Sequence, residues 1–565
     1  MIEDLHDRRV ARSATGLLRE LNLAEVLEAS DIQVATRLGA MAGETSEMIL
    51  VAVALTVRAA RLGSVCLDLS DPGVEDVPLV DPADVVDSPL IEQQLLRLDG
   101  SLLYLDRYWR EERQVCADLL ARLSRPALPV DPDLLEQSLD RVLGAVGFEE
   151  QRAIVAAAAT RTTTVLTGGP GTGKTTTVAG LLEVLSEEHE RATGRVPRIA
   201  LCAPTAKAAA RLSEAVGRDA STLHRLLGAL PGLVRTRFRH DRDNQLPHDV
   251  VVVDETSMVS LTHMARLLEA VRPDARLVLV GDADQLASIE AGAVLADVVA
   301  GLRDHPGAPV AELTTVHRFG GAIAELADAL RVGDADRALD VLGSGDPSVQ
   351  LIDPDDTRAV DAVIADVVER ARSMSIAAES GDAVGALAAL DQHRLLCAHR
   401  EGPYGVRSWN ARVERGLADA TGVTHYTQWF VGRPVLVTAN NQTLGIWNGD
   451  VGVTLRRPDG RLEVALAAAG EPRRLATTRL PDTETLYSTT VHKAQGSQAR
   501  VVTVVLPDAE SSLLTRELFY TAVTRAQEQV RIIGDPESLR AAVERRALRA
   551  SGLADRLMAG TRGEL

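Results

Sequence analysis

Cysteine is scarce in this chain, and so are aromatic residues, net positive charge and long apolar runs. Its four cysteines (Cys66, Cys116, Cys202 and Cys397) are scattered through 565 residues without a CxxC pair. That argues against a zinc site, an iron–sulfur cluster or a disulfide framework, and it fits a reducing, cytoplasmic setting. Aromatics make up 3% of the residues, so core volume must come mostly from Ala, Val and Leu. A net charge of -19 argues against a blanket electrostatic nucleic-acid binder, but not against a motor with a local basic track. The opening MIEDLHDRRV has no apolar signal core. The longest early apolar run, MILVAVALTV (Met48–Val57), is too short to cross a bilayer and reads as a buried helix. There is no long-period repeat and no low-complexity tract. No carboxylate cluster with a nearby lysine stands out as a nuclease centre would.

What is present divides the chain. Residues 1–125 space their apolar side chains at helical intervals, as in DIQVATRLGAMAG and SLLYLDRYWREERQVCADLLARL. Between these lies a Pro- and Asp-rich loop, SDPGVEDVPLVDPADVVDSP, and SRPALPVDPD (Ser124–Asp133) reads as a linker. From Leu134 onward, continuous apolar strands (TTTVLTG, RIALCAP, DVVVVDE, RLVLVGD) alternate with helical stretches, as in a parallel sheet covered on both faces. A second set follows in RLLCAH, RVVTVVLP and QVRIIGD. Asn-Gly-Asp and Asp-Gly turns at short spacing around residues 429–486 predict a small antiparallel barrel inserted within that set.

TGGPGTGKTTT carries the chemistry. It fits G-x-x-x-x-G-K-[ST] through Gly168, Gly173, Lys174 and Thr175, with a strand before it and a helix after it. Backbone N–H groups of the loop, from Gly168, Gly169, Gly171, Thr172 and Gly173 to Thr176, would close around phosphate oxygens, with Pro170 shaping the turn and donating none. Lys174 would reach the β- and γ-phosphates, and the Thr175 hydroxyl would take Mg²⁺. The alternative is a glycine-rich turn that binds nothing. Asp254 ends an apolar strand, where a carboxylate holds Mg²⁺, and Glu255 can orient or deprotonate the attacking water. Gln285 can sense the γ-phosphate, and Arg318 and Arg525 can offset transition-state charge. Taken singly, each arginine reads as well as a solvated surface group.

In order, GGPGTGKTTT, APTAKAAARL, STLHRLLG, VVVDETSM, VGDADQLAS, LTTVHRF, TVHKAQGSQ and FYTAVTRA resemble the motif series of superfamily 1B DNA helicases. The NGD before TVHKAQGSQ is similar to the RecD-like branch, and LYLDRYWREE and GSVCLDL add to that likeness. The resemblance implies an α/β fold with two RecA-like P-loop lobes, a helical N-terminal partner-binding domain (1–125) and an inserted SH3-like β-barrel (429–486). The lobes would span 134–310, with a basic hairpin at 230–248, and 311–428 with 487–565. It also implies ATP and Mg²⁺ as cofactors, Gln151 at the adenine, and Arg318 and Arg525 as arginine fingers. The activity implied is a 5′→3′ DNA helicase subunit of an exodeoxyribonuclease V complex. Single-stranded DNA from duplex ends would be the substrate, and RecB-like and RecC-like chains the partners. A stand-alone RecD-like helicase and an interaction subunit with weak ATPase are the alternatives. The first gains no support from residues 1–125, which lack glycine-centred helix-hairpin-helix repeats.

The loop STTVHKAQGSQ then falls at a DNA strand. Thr490, His492 and Lys493 would donate to phosphates, as would Thr205, Lys207 and His224 upstream. A core-satisfied imidazole is the alternative for His492. The basic run LVRTRFRHDR (Leu233–Arg242) is either a solvated loop or a fork-touching hairpin with Phe238 as a base wedge. Trp447 is read as closing the barrel core, with base stacking the alternative.

Overall fold

A computed structural model of the chain describes residues 9–74, 77–128, 130–229, 237–315, 321–424, 426–441, 443–468, 470–547 and 549–562. The apolar runs become the centres of two parallel sheets. The first has six strands in the order Ala220–Thr222, Ile199–Ala203, Val250–Val253, Arg276–Gly281, Thr163–Gly168 and Val310–Leu313. Val251, Val252 and Val253 are fully buried because helices cover both faces. The second has five strands in the order Val349–Ile352, Ala526–Ile533, Ala499–Val505, His393–Cys397 and Ser488–Thr490. In both, the loops leaving the carboxyl ends of the strands carry the motifs, which is where open α/β sheets bind ligands.

The segment expected to form a barrel is a five-stranded antiparallel sheet, ordered Arg473–Ala476, Leu462–Leu466, Val451–Arg456, Pro434–Val437 and Thr483–Thr485. Asp459-Gly460 makes the hairpin between two of these strands, with Gly460 at φ 82. Its core is Val435, Val437, Ile446, Val464, Leu466, Leu475 and Leu480, with Trp429 and Leu444 against it. Trp447 is not part of that core. It is half-buried and faces a cleft, so the sequence expectation for this residue is corrected.

The N-terminal region is mainly helical, and it also holds a three-stranded antiparallel sheet of Leu67–Asp68, Leu102–Leu105 and Leu96–Asp99. Met48–Val57 lies in the helix Glu47–Arg61, with Val51, Ala52, Val53 and Ala54 fully buried. Among the described residues, no helix is long and apolar enough to cross a membrane. The helix Asp106–Leu123 fastens this region to the first sheet. Its buried Arg122 donates to Thr163 Oγ1 at 3.0 Å and to the carbonyls of Arg272 and Ala275 at 3.0 and 2.5 Å.

The chain end departs from the range expected for the second lobe, 487–565. The helix Leu553–Arg562 packs on Val294–Leu302 and Asp106–Leu123, burying Leu553 and Leu557 in the core of the first lobe. An apolar stripe takes whichever complementary surface is available, and here that surface lies across the lobe boundary.

Candidate active site and nucleic-acid cleft

The strand Thr163–Gly168 ends in a loop that only glycine permits at Gly168. A Cβ there would lie 2.7 Å from the Leu313 carbonyl oxygen of the neighbouring strand. Gly171 and Gly173 take left-handed conformations at φ 84 and 88, and Thr172 donates to the Gly169 carbonyl at 2.9 Å. The helix Lys174–Thr193 starts immediately, bringing its N-terminus to the loop, with Thr175 half-buried in its first turn. Lys174 Nζ donates to the carbonyls of Gly168 and Gly169 at 2.5 and 2.8 Å, so the ammonium lies over the cradle. Pro170 is buried and Thr176 is exposed at the edge of the loop.

Asp254 follows Val250–Val253 and accepts from the Glu255 N–H at 2.8 Å. Burial, with the adjacent Glu255 charge, pushes its carboxyl up to about 6. Glu255 sits at φ 50 and ψ 41, a left-handed conformation that costs a non-glycine residue about 1–2 kcal/mol. Such strain at the end of a strand aims a side chain that regular backbone would direct elsewhere.

The third corner joins the lobes. Gln285 Nε2 donates to Asp282 Oδ2 at 2.9 Å, and its Oε1 accepts from Arg525 Nη2 at 2.9 Å. Asp282 also accepts from the Tyr520 hydroxyl at 3.2 Å. Burial raises the Asp282 carboxyl, while Lys174 and these donors oppose the rise. Leu286 N–H donates to Thr521 Oγ1 at 2.8 Å, and Gln495 Nε2 donates to the Leu286 carbonyl at 2.8 Å. Arg525 is 4% exposed, so this junction is dry. Tyr520 also meets the phosphate loop, since a Cβ on Gly169 would lie 3.1 Å from its hydroxyl.

Arg318 lies outside the described residues. The chain just before it is held by Glu150, whose carboxylate accepts from Thr314 N–H and Oγ1, both at 2.8 Å. Gln151 follows on the same helix, Glu149–Ala159, and is 2% exposed. Tyr520, Gln495, Asp282 and Glu150 were not singled out from the sequence. The first three stand inside quoted motifs and Glu150 precedes Gln151, and the signal available was a polar residue in an otherwise apolar or motif-bound stretch.

The expected DNA residues divide. Thr205 and His224 line a cleft of about 1470 Å³, whose walls also carry Trp447, Asn440 and Asn448 from the inserted sheet and Arg61, Arg107 and Tyr108 from the N-terminal region. Its charged lining residues are Arg61, Arg107, Arg225 and Arg237 against Glu290. A chain of net charge -19 thus turns a cationic surface inward here. His224 Nε2 lies 3.0 Å from His263 Nε2, whose Nδ1 meets Ser260 Oγ at 2.8 Å, and that hydroxyl donates to Glu290 at 2.8 Å.

Lys207 stands apart from that lining. Burial, then Arg394 and Arg211, pushes its amine down to about 7. Thr490 caps the short helix Val491–Ala494, accepting from Lys493 N–H at 3.3 Å. Lys493 Nζ pairs with Glu484 at 2.8 Å, and burial together with Arg549 lowers His492. None of Thr490, His492 and Lys493 lines the cleft, although Gly496 in the same loop approaches Thr205 and Ala208.

The stem of the expected basic hairpin is present. Ala229 bridges Phe238 antiparallel, and Arg239 N–H donates to the Gly228 carbonyl at 3.0 Å. The tip, 230–236, lies outside the described residues. Phe238 is 8% exposed and packs edge-on to His224 within the first-lobe core, so it is a stem anchor and not an exposed wedge.

Family profiles match three parts of the chain. One described as the N-terminal domain of RecBCD enzyme subunit RecD covers residues 23–119, an AAA domain covers 148–348, and a UvrD-like helicase C-terminal domain covers 485–533. The RecBCD enzyme subunit RecD of Mycobacterium tuberculosis strain H37Rv is 53% identical over 98% of this chain and 99% of its own length. That of Mycolicibacterium smegmatis is 54% identical over 94% and 98%. The ATP-dependent RecD2 DNA helicase of Deinococcus radiodurans is 32% identical over 84% of this chain and 61% of its own length. Among solved structures, Pif1 helicase from Candida albicans covers 69% of this chain and 96% of its own, at 15% identity and a TM-score of 0.41.

Proposed function

The chain belongs to the RecD family of RecBCD enzyme subunits, and from that premise we propose that it is an ATP-hydrolysing, 5′→3′ DNA helicase subunit acting in double-strand break repair. Its partners are RecB-like and RecC-like chains, which carry any nuclease activity. The 53% identity to the mycobacterial subunit, against 32% to the Deinococcus RecD2 protein, favours this over a stand-alone helicase. The inserted sheet is the SH3-like barrel of such a helicase.

The observation that carries the proposal is the bond from Arg525 in the second lobe to Gln285 in the first, with Gln285 linked through Asp282 to Tyr520, whose hydroxyl lies beside the phosphate loop. A triphosphate on the loop would draw Lys174 off its two carbonyl acceptors and onto phosphate. Glu255 would position and deprotonate the attacking water, while Gln285 and Arg525 would face the transferring group, joined by Arg318. Loss of the γ-phosphate would remove the anion these cations share, and the lobes would loosen. Alternating grip by the two lobes would then advance the strand.

The acidic and hydroxyl groups fit a Mg²⁺ that arrives with its nucleotide. Asp254 is a buried carboxyl held above its ordinary range, which a dication would return to the ionised form. Among the described residues, no group of three or more His, Cys, Asp or Glu side chains could hold a metal alone. Thr175 and Asp254 would therefore share the ion with phosphate oxygens and water, and the ion would neutralise charge on the phosphates.

DNA-stimulated ATPase and strand separation test this. Lys174→Ala should abolish both, and Arg525→Ala should lower kcat by about 10³-fold. A Lys174→Ala protein that still unwinds DNA with ATP would refute the mechanism. Wild-type protein with no DNA-stimulated ATPase would favour an interaction subunit.

A further inference from the structure

The N-terminal region matches a family profile, but no role in holding DNA is implied by that match. Its helix Asp106–Leu123 nevertheless begins on the cleft. Arg107 and Tyr108 line the cavity alongside Thr205, His224 and Trp447, and Arg61 joins them from the helix Glu47–Arg61. These positions are held firmly. Arg107 Nη2 donates to Thr262 Oγ1 at 2.9 Å, and Thr262 donates to Glu111 at 2.6 Å. The helix is thus bolted to Leu261–Ala270, the helix that presents His263 to the same space.

The two arginines differ. Arg61 is committed to the fully buried Asp31, at 2.8 Å, so it shapes the wall. The Arg107 side chain is 53% exposed, and its ion pair with Glu111 is longer, at 3.2 Å. It therefore retains donors for a phosphate. Tyr108 is half-buried against the first-lobe core, which fixes its ring, and it borders the same cavity as Trp447 on the inserted sheet. A cationic cleft with aromatic rings on two walls matches an unpaired strand, whose phosphates seek arginine and whose bases stack.

We propose that the N-terminal domain forms one wall of the single-strand path, with Arg107 binding a backbone phosphate and Tyr108 supporting a base. The domain then does two jobs, docking partners elsewhere on its surface and gripping the strand here. This rests on the helicase reading above, and the experiment separates the two.

Binding of a fluorescent oligo-dT to the full-length chain is measured across a KCl series. Wild type should bind with a steep salt dependence. Arg107→Gln should weaken binding several-fold and flatten the log–log salt slope by about 1, the loss of one phosphate contact. Arg107→Lys, which keeps the charge, should restore the slope. Arg110→Gln, on the same helix but outside the cleft lining, should change neither. DNA-independent ATPase should be equal in all four proteins. A 5-bromodeoxyuridine oligonucleotide should photo-crosslink to Tyr108, mapped by peptide mass. An Arg107→Gln slope equal to wild type, an equal loss in Arg110→Gln, or crosslinks confined to residues beyond 125 would overturn the proposal. Wild-type failure to bind oligo-dT would overturn it together with the helicase reading.

Discussion

Lys207 shows how much a single side chain depends on its surroundings. In the sequence it is one lysine of APTAKAA, available to any phosphate. In the fold, burial and the neighbouring Arg394 and Arg211 hold its amine near 7. Between about 7 and its ordinary range, the folded chain binds fewer protons here than the unfolded chain. This residue therefore disfavours folding progressively as pH falls through that window, and the penalty is complete below about 7. Although Lys207 stands apart from the cleft lining, a strand that reached it would favour the charged form, and binding above pH 7 would then take up a proton. Oligonucleotide affinity should fall as pH rises past about 7, by at most tenfold per unit. Lys207→Met should abolish that component. A titration from pH 6.5 to 8.5 at constant ionic strength checks it, and an unchanged profile in the variant would remove Lys207 from the DNA path.

At the scale of elements, the phosphate loop illustrates why a strand must end where it does. Gly168 lies against the Leu313 carbonyl, and the strand Val310–Leu313 can pair there only if no Cβ intervenes. Gly168→Ala should cost about 1–3 kcal/mol through overpacking and should also weaken nucleotide binding by displacing the loop. Urea unfolding and nucleotide titration measure the two effects. A variant with wild-type stability and affinity would mean that the neighbouring strand yields freely. The strands of the two parallel sheets that sequence reading missed share one property. Ala220–Thr222, Val310–Leu313, Val349–Ile352 and Ser488–Thr490 are the edge strands of the two parallel sheets. An edge strand has one pairing partner and less cover, so it needs no continuous apolar run to identify it. The central strands, buried on both faces, all announced themselves.

At the scale of the molecule, the chain end holds the parts together. Residues 549–562 leave the second lobe and dock on the first lobe and the N-terminal region. The Ala550 carbonyl accepts from Val65 N–H at 2.8 Å, and Arg556 reaches the fully buried Glu112 at 3.0 Å. Glu112 also accepts from Tyr104, Ser551 and the Gly552 N–H, each at 3.1 Å. Arg556→Ala strips the charge partner from a buried carboxylate and should destabilise the protein by about 3–5 kcal/mol. Truncation after residue 548 should do at least as much and let the lobes separate. Thermal unfolding and the radius of gyration from small-angle scattering report the two. A truncated protein with unchanged melting temperature and radius would show that the strap is dispensable.

The order of motifs, the central strands and the glycine loop were legible in the linear chain because their patterns are local. A glycine pattern, a strand and a helix N-terminus build the phosphate cradle within about ten consecutive residues. The helicase resemblance lay in the same local runs. What only the tertiary structure decided is contact between distant segments. It placed Trp447 on the cleft and Phe238 in a core, engaged Lys493 with Glu484, brought Arg107 and Tyr108 to the cleft that the inserted sheet also lines, and returned the last described helix to the first lobe. Local pattern specifies which face of an element is apolar, but not which of several matching surfaces will cover it. That choice belongs to the packing of the whole chain.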